Sequence, residues 1–347
     1  MAHIFKLNEG SKGIIVFTHK EKNWFQENSH SINILSSLKN RYFIGVHYGH
    51  RQETTGASFE DFCMGADSTV SFSSNPPFRI PMNSRSFTPY FFRPLGLRKF
   101  YDIINISRNI HLKKLDVFMD AVRKIYDQGK EYKFLLIVPT SENESNNGHF
   151  FLDIVEKYNK MFTRKERENF TLIRLSGEHG FLGISPLTIS FLYNSSKIFT
   201  LLSPGEGESR VIHEALLCGL PVICYKNLYG GGRDYLDSSN SLQFSDYNQV
   251  ADTFIQAIEN YDNFKVNTDY LFGELNEEST IEKLKVYFSN LYSRSSLSFD
   301  GNLINLDYLN LRLPAHFKGV DWDTKDPNIP TADISSFEQL EIFISKL

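Results

Sequence analysis

Between residues 198 and 225 an apolar run, a glycine-bearing loop, a helical pattern and a second apolar run follow one another, and this order strongly restricts the fold. Ser209 is a predicted helix N-cap, because its hydroxyl can accept a hydrogen bond from an orphan N–H of the first turn. Gly219 suits the left-handed position that ends a helix, and Pro221 prevents its continuation. The segment is therefore predicted as strand, loop, helix and strand. A helix N-terminus at the carboxyl end of a strand favours phosphate binding.

Two glutamates of this segment, Glu206 in the loop and Glu214 in the helix, are separated by seven residues and followed by Ala-x-x-x-Gly-x-Pro-Val-Ile. The whole string closely resembles the signature of retaining glycosyltransferases with the GT-B fold, glycosyltransferase family 4 and its relatives. The resemblance implies that Glu206 lies beside the sugar of a nucleotide-sugar donor and that Glu214 hydrogen-bonds the ribose. The alternative is an ordinary strand–loop–helix–strand unit whose glutamates are solvated.

Apolar runs typical of buried parallel strands alternate with helical patterns along most of the chain. Before the central segment, the predicted strands are residues 13–18, 42–47, 68–72, 102–107, 134–138 and 170–175. The predicted helices outside it are residues 28–38, 115–126, 152–162, 186–194, 250–261 and 281–292. This alternation predicts an α/β fold with a doubly wound parallel sheet. The resemblance implies a GT-B-type architecture, with two Rossmann-like domains that contain parallel sheets.

Three regions are predicted: a reduced amino-terminal Rossmann-like domain on the acceptor side (1–95), a nucleotide-sugar-binding Rossmann-like domain (96–292), and an extension that packs back toward the first domain (293–347). A chain of 347 residues is long enough for two domains. The stretch 75–100 is rich in Pro, Phe and Arg and is predicted as the connection. Because the first domain is shorter than in the resembled family, a second copy of the chain or a partner subunit is expected to complete the acceptor side.

Basic residues directly follow the predicted strand at 102–107. Arg108 comes first, and Lys113 and Lys114 precede the helix at 115–126. The resemblance implies that Arg108 and Lys113 neutralise the donor diphosphate as its charge grows during bond cleavage. Lys114 stands where the family usually has a small residue. A solvated basic loop is the alternative for these residues taken alone.

Further donor contacts are implied by the resemblance alone. Diphosphate contacts are implied for the loop that contains Gly205, Gly207, Ser209 and Arg210, and a backbone contact with the base for Gly177. His47, at the end of the strand 42–47, is implied to lie near the donor sugar, with His50 as the second choice. A structural role is the alternative for a histidine at a strand end. Glu208 is atypical beside a diphosphate, and Arg210 is expected to offset its charge.

The net charge of -4 and an isoelectric point near 6.2 argue against a general polyanion-binding surface, so nucleic acid is not an expected partner. A local basic groove containing Arg79, Arg85, Arg93, Arg98 and Lys99 keeps a DNA-modifying glucosyltransferase as an alternative. The resemblance implies a nucleotide-sugar donor, a UDP-sugar before a GDP-sugar. It implies no obligatory metal or cofactor, and a bacterial surface glycan or related glycoconjugate as acceptor.

Cys63, Cys218 and Cys224 cannot all pair and lack metal-ligand spacing, so they are predicted to be reduced core residues of a cytoplasmic protein. No run of about 18 apolar residues predicts a transmembrane segment, and a peripheral place at the inner membrane face is the second expectation. Two further alternatives stay open. One is a catalytically silent GT-B-like subunit that binds or chaperones a partner transferase, and the other is a nucleotide-sugar epimerase.

Overall fold

The computed structural model describes residues 2–8, 10–18, 22, 25–26, 31–48, 53–54, 57–65, 71–72, 78–82, 86, 88–139, 149–175, 184–206, 210–230 and 232–303. Contacts divide the chain into two compact units: unit 1 comprises Met1–Pro89 and Glu274–Leu347, and unit 2 comprises Tyr90–Gly273. Within these described ranges, no helix combines the length and the apolar character that crossing a membrane requires.

The described elements alternate between strands and helices in unit 2 and are mostly strands in unit 1. The strands are β1 Ala2–Lys6, β2 Gly13–Thr18, β3 Tyr42–Tyr48, β4 Glu53–Thr54, β5 Phe62–Gly65, β6 Ser71–Phe72, β7 Arg79–Ile80, β8 Tyr101–Ile106, β9 Phe134–Pro139, β10 Phe170–Leu175, β11 Ser196–Leu201, β12 Val222–Tyr225 and β13 Ser241–Phe244. The helices are α1 Ser31–Arg41, α2 Leu115–Asp127, α3 His149–Met161, α4 Pro186–Asn194, α5 Arg210–Leu217, α6 Val250–Glu259, α7 Thr268–Leu275 and α8 Glu277–Arg294.

Unit 1 is built on a five-stranded sheet with the strand order β1-β2-β3-β5-β7. The edge strand β1 runs antiparallel to β2, whereas the other neighbours in this sheet are parallel. A separate parallel pair joins β4 to β6. One face of the five-stranded sheet is covered by α8, whose Phe288 and Tyr292 pack with Phe5, Phe43 and Phe62 in a single core. The end of the described chain is therefore part of the amino-terminal unit's core.

Unit 2 contains a six-stranded sheet in which every pair is parallel, in the order β10-β9-β8-β11-β12-β13. Counted along unit 2, this is the order 3-2-1-4-5-6 of a doubly wound sheet. The direction of strand addition reverses between β8 and β11. The predicted α/β fold with parallel sheets is confirmed.

Aromatic packing explains why helices cover both faces of this sheet. On one face, the ring of Phe134 lies 6.2 Å from Phe118 of α2 and 6.4 Å from Phe254 of α6. On the other face, Tyr193 of α4 packs 5.7 Å from Phe199. Successive side chains of a strand point to opposite faces, so β8, β9 and β11 are buried on both sides and consist mainly of apolar residues.

Five strands were missed by sequence reasoning, namely β1, β4, β5, β7 and β13. The strand that follows β3 in the order of the five-stranded sheet is β5, which no predicted strand covers. Of the run predicted at 68–72, Ser71 and Phe72 form β6, and residues 68–70 lie outside the described residues. The missed strands have only two to five residues, which is too short for periodicity to identify them.

Candidate functional site

The carboxyl edge of the unit 2 sheet provides a crevice where β8 and β11 diverge into separate connections. The segment 107–114 leaves β8 toward α2, and the segment 202–206 leaves β11 toward α5. In doubly wound sheets ligands bind at the carboxyl ends of the strands where the strand order reverses. The topology therefore identifies this edge as the candidate site, and the predicted Arg108, Lys113 and Glu206 all lie in the two segments that border it.

The segment after β8 presents its basic residues in a short turn. Arg108 is exposed and forms no ion pair with another described residue. Residues 111–113 form a 3-10 turn, after which Lys114 adopts a left-handed conformation with φ 53°. The resembled family usually has a small residue at this position. A small residue such as glycine suits this backbone, because left-handed conformations are least strained in glycine. The Lys114 ammonium lies 5.7 Å from the centre of the Tyr247 ring.

Lys113 and Glu206 form an ion pair across this crevice. The Lys113 Nζ donates a hydrogen bond to the Glu206 Oε1. The two side chains are only 12% and 9% exposed, so the pair is largely shielded from water. The strand order brings together two predicted site residues that stand 93 positions apart in the chain.

The backbone of Glu206 is held by the segment that follows β12. The Glu206 N–H donates to the Tyr229 carbonyl at 2.9 Å, and the Tyr229 N–H donates to the Pro204 carbonyl at 3.2 Å. A Cβ on Gly205 would lie 2.0 Å from the Tyr229 ring, so only glycine allows this approach. Gly230 has φ +91°, and a Cβ there would lie 1.7 Å from the Glu206 carbonyl oxygen. Glycines on both segments thus fix the position of Glu206.

Glu214 and Arg210 form a second ion pair, within α5. The Arg210 Nε lies 3.6 Å from the Glu214 Oε1, at the i, i+4 spacing of a helix. Burial raises the pKa of Glu214, while the Arg210 charge and a hydrogen bond with the Tyr193 hydroxyl act in the opposite direction. Arg210 was expected to offset the charge of Glu208, which lies outside the described residues. Its described partner is Glu214.

Buried polar atoms near the same edge were missed by sequence reasoning. Asn105 near the end of β8, Ser107 after β8 and Ser203 after β11 each bury a side-chain oxygen that has no hydrogen-bond partner among the described residues. The Asn105 amide donates to the Thr200 carbonyl at 3.1 Å, which links β8 to β11. Buried polar atoms are normally satisfied by protein, water or ligand. The sequence signal for this group was Asn105, a polar residue within the otherwise apolar run Ile-Ile-Asn-Ile.

The remaining predicted site residues are His47, which belongs to unit 1, and residues beyond the described ranges. His47 is buried in β3 between Thr18 of β2 and Met64 of β5. Outside the described residues lie Gly177, Gly207, Ser209 and His50. The left-handed conformation predicted for Gly219 is confirmed, with φ +79°.

The described residues contain no group of three His, Cys, Asp or Glu side chains placed to hold a metal ion. The chain has an Asp-x-Asp triplet, Asp321-Trp322-Asp323, within residues 304–347, which lie outside the described ranges. Independence from a metal therefore stays a prediction.

The comparison with protein families matches most of unit 2. A family model described as glycosyl transferases group 1 matches residues 91–268. No curated protein matches the chain by sequence.

Solved structures resemble the chain in fold. TarM is 14% identical with a TM-score of 0.55, covering 79% of this chain and 54% of that chain. The structure of the GtfA/B complex is 14% identical with a TM-score of 0.54, and the match covers 76% of this chain and 56% of that chain. An α,α-trehalose-phosphate synthase (UDP-forming) from Burkholderia vietnamiensis is 11% identical with a TM-score of 0.52, and the match covers 78% of this chain and 72% of that chain. The chain thus spans about half the length of the first two chains. At these identities the likeness is one of fold, and that fold is GT-B.

Proposed function

The chain belongs to the glycosyl transferases group 1 family, and we propose that it transfers a sugar from a nucleoside diphosphate sugar to a glycan or glycoconjugate with retention of configuration. The observation that carries the proposal is the Lys113–Glu206 pair across the crevice between β8 and β11, with Arg108 on the same segment as Lys113. Two cations and a carboxylate are suited to a ligand that carries a diphosphate and a hydroxyl-rich sugar.

The proposed mechanism relies on positioning and charge stabilisation. The bond between the anomeric carbon and the diphosphate oxygen breaks while the acceptor oxygen bonds to the same face of that carbon. The leaving diphosphate takes the acceptor proton, so none of the motif carboxylates acts as a base. Arg108 and Lys113 stabilise the growing negative charge on the diphosphate, an electrostatic contribution that is often the largest single one in catalysis.

The proposed donor is a nucleotide sugar whose base we assign by analogy with proteins of the same fold. A UDP-sugar is the first choice because one solved structure of the same fold is a UDP-forming synthase, and a GDP-sugar is the second. Glu214, buried on α5, would accept a hydrogen bond from the ribose, and Glu206 would face the sugar. We place the reaction in the cytoplasm, since Cys63, Cys218 and Cys224 are all unpaired thiols buried in the protein.

The acceptor side is proposed to need a second polypeptide. The chain spans about half the length of TarM and of the GtfA/B chain that it matches, and the latter structure is a complex. A second copy of this chain or a partner subunit would supply the missing surface. Sedimentation of the purified protein would test the homo-oligomer directly.

Calorimetric titration with UDP, GDP and CMP tests the donor site. We expect micromolar binding of one nucleotide, weakened at least about tenfold in both Arg108→Ala and Glu214→Ala, because each removes a direct contact. Arg164→Ala is the matched control, since Arg164 is exposed in the segment before β10, at the opposite edge of the sheet. If the folded protein binds none of these nucleotides, the proposal is contradicted and the alternative of a catalytically silent subunit is favoured.

A further inference from the structure

The ion pair between Lys113 and Glu206 occupies the place where the proposed donor would bind. Lys113 comes from the segment after β8, and Glu206 from the segment after β11, so the pair bridges the crevice itself. Both backbones are held: the Lys113 N–H donates to the Ile110 carbonyl at 2.9 Å, and the Glu206 N–H donates to the Tyr229 carbonyl at 2.9 Å. A diphosphate that approaches Lys113 must therefore compete with the Glu206 carboxylate.

The charges around the crevice are more balanced than the sequence indicates. Glu206 neutralises Lys113, and Glu214 neutralises Arg210. The second pair lies within one helix and can persist beside a ligand. The Lys113–Glu206 pair joins two separate segments, and it cannot keep its geometry if a phosphate binds the Lys113 ammonium.

We infer that Glu206 is a specificity-determining residue that makes the site prefer the intact nucleotide sugar over the free nucleoside diphosphate. The inference rests on the proposed function. When a donor binds, Lys113 and Glu206 exchange partners. The diphosphate pairs with Lys113, and the sugar hydroxyls donate hydrogen bonds to the released Glu206 carboxylate. A free nucleoside diphosphate takes Lys113 but offers Glu206 nothing, and a largely buried carboxylate without a partner is costly.

This exchange has a consequence for turnover. After transfer the sugar has left, so Glu206 again lacks a partner while the diphosphate product still holds Lys113. Re-formation of the Lys113–Glu206 pair then favours release of the product. Glu206 thus acts on the diphosphate through Lys113, in addition to facing the sugar.

The test compares UDP and UDP-glucose binding by calorimetry in the wild type, Glu206→Gln, Lys113→Met and the double variant. Glutamine keeps the shape of the side chain but loses its charge, so Glu206→Gln is expected to bind UDP about tenfold more tightly. Its preference for UDP-glucose over UDP should shrink by at least about tenfold. Lys113→Met should weaken UDP binding more in the Glu206→Gln background than in the wild type, by about tenfold.

Asp102→Asn is the matched control. Asp102 pairs with Lys197 at 2.7 Å and joins the same two strands, β8 and β11, at their amino ends. Loss of this pair should leave UDP affinity within about twofold of the wild type, as for any distant site. A purely structural role of Glu206 would weaken UDP binding and could not strengthen it.

The outcomes separate the inference from the proposed function. If the wild type binds UDP and the folded Glu206→Gln variant binds it equally or more weakly, the inference is overturned and the proposed function stands. If neither the wild type nor any variant binds UDP, GDP, CMP or their sugars, both fail. Should Glu206→Gln not fold, Glu206→Asp withdraws the carboxylate by one methylene and must tighten UDP binding in the same direction. Unchanged or weaker affinity in Glu206→Asp would then overturn the inference.

Discussion

At the scale of single residues, Gly230 has the most restrictive environment in the candidate site. Its φ of +91° and the 1.7 Å distance between a built Cβ and the Glu206 carbonyl oxygen leave no room for a side chain. Gly230→Ala should therefore displace Glu206, lower the free energy of unfolding by about 2–3 kcal/mol and weaken nucleotide binding about tenfold. Urea unfolding and calorimetry measure the two effects.

Gly129→Ala is the control for Gly230→Ala. Gly129 also has a left-handed backbone, with φ +75°, but a Cβ there meets nothing within 4 Å. Its substitution should cost about 1 kcal/mol and leave nucleotide affinity unchanged. Equal effects of the two substitutions on binding would contradict the role assigned to Gly230.

Glu60 of unit 1 gives a prediction for pH dependence. Burial raises the pKa of Glu60 from 4.5 to about 6, while hydrogen bonds from the Tyr48 hydroxyl and the Ala57 N–H act in the opposite direction. Between these two values the folded state binds more protons than the unfolded state, so the free energy of unfolding falls as pH rises. The contribution of Glu60 to this fall is about 2 kcal/mol.

Glu60→Gln should abolish this contribution, because glutamine does not ionise. The stability of the wild type relative to Glu60→Gln is expected to fall between pH 4.5 and 6.5, as measured by urea unfolding at both values. Glu156→Gln serves as the control, since the pKa of the exposed Glu156 is lowered by Lys160. If the difference in stability between the wild type and Glu60→Gln is the same at both pH values, the raised pKa assigned to Glu60 is wrong.

The sequence suggested candidate site residues but not their partners. The motif pointed to Glu206 and Glu214, and the family resemblance to Arg108 and Lys113, because such patterns are local; the roles of all four stay predictions. The Lys113–Glu206 pair depends on β8 and β11 being neighbours, which no local pattern contains. The sequence did not predict the Arg210–Glu214 pair, which the helix forms at i, i+4 spacing, and the predicted pairing of Arg210 with Glu208 stays a prediction.

At the scale of secondary structure, α8 is the element that completes unit 1. Its Phe288 is fully buried, with ring centroids 5.4 Å from Phe5 and 5.8 Å from Phe62. Phe288→Ala should lower the free energy of unfolding by about 3–5 kcal/mol, the usual cost of a large core cavity. Val286→Ala on the exposed face of the same helix should change it by less than about 0.5 kcal/mol. Similar urea midpoints for both variants would contradict the packing of α8 on this sheet.

Several elements with long patterns were predicted accurately, whereas the missed strands are all short. Strands β2 and β10 begin and end where the apolar runs do, and Ser185 caps α4 by accepting a hydrogen bond from the Thr188 N–H at 3.2 Å. The four-residue strands β5 and β13 have no periodicity to detect and owe their conformation to pairing with neighbours.

At the scale of the whole molecule, the two units differ in how they are assembled from the chain. The main core of unit 2 uses only residues between Ile103 and Ile258, whereas a core of unit 1 combines residues from both ends of the described chain. The fragment 90–273 should therefore fold alone, and the fragment 1–89 should not, since it lacks α8. Circular dichroism of the two fragments checks this.

The isolated fragment 90–273 also tests where the donor site lies. It contains Arg108, Lys113, Glu206 and Glu214, so it should bind UDP within about tenfold of the full chain. A folded fragment that has lost UDP binding entirely would mean that unit 1, which contains His47, supplies an essential donor contact.

The central claim is that this chain breaks the bond between a sugar and a nucleoside diphosphate. The most direct measurement is release of nucleoside diphosphate from UDP-glucose, UDP-N-acetylglucosamine and GDP-mannose, followed by NMR that also identifies the anomer of the freed sugar. We predict slow release from one donor with the anomeric configuration retained, reduced at least about a hundredfold in Arg108→Ala, because a catalytic charge contact is lost. A folded protein that releases diphosphate from none of them, or whose Arg108→Ala variant is as active as the wild type, would contradict the claim.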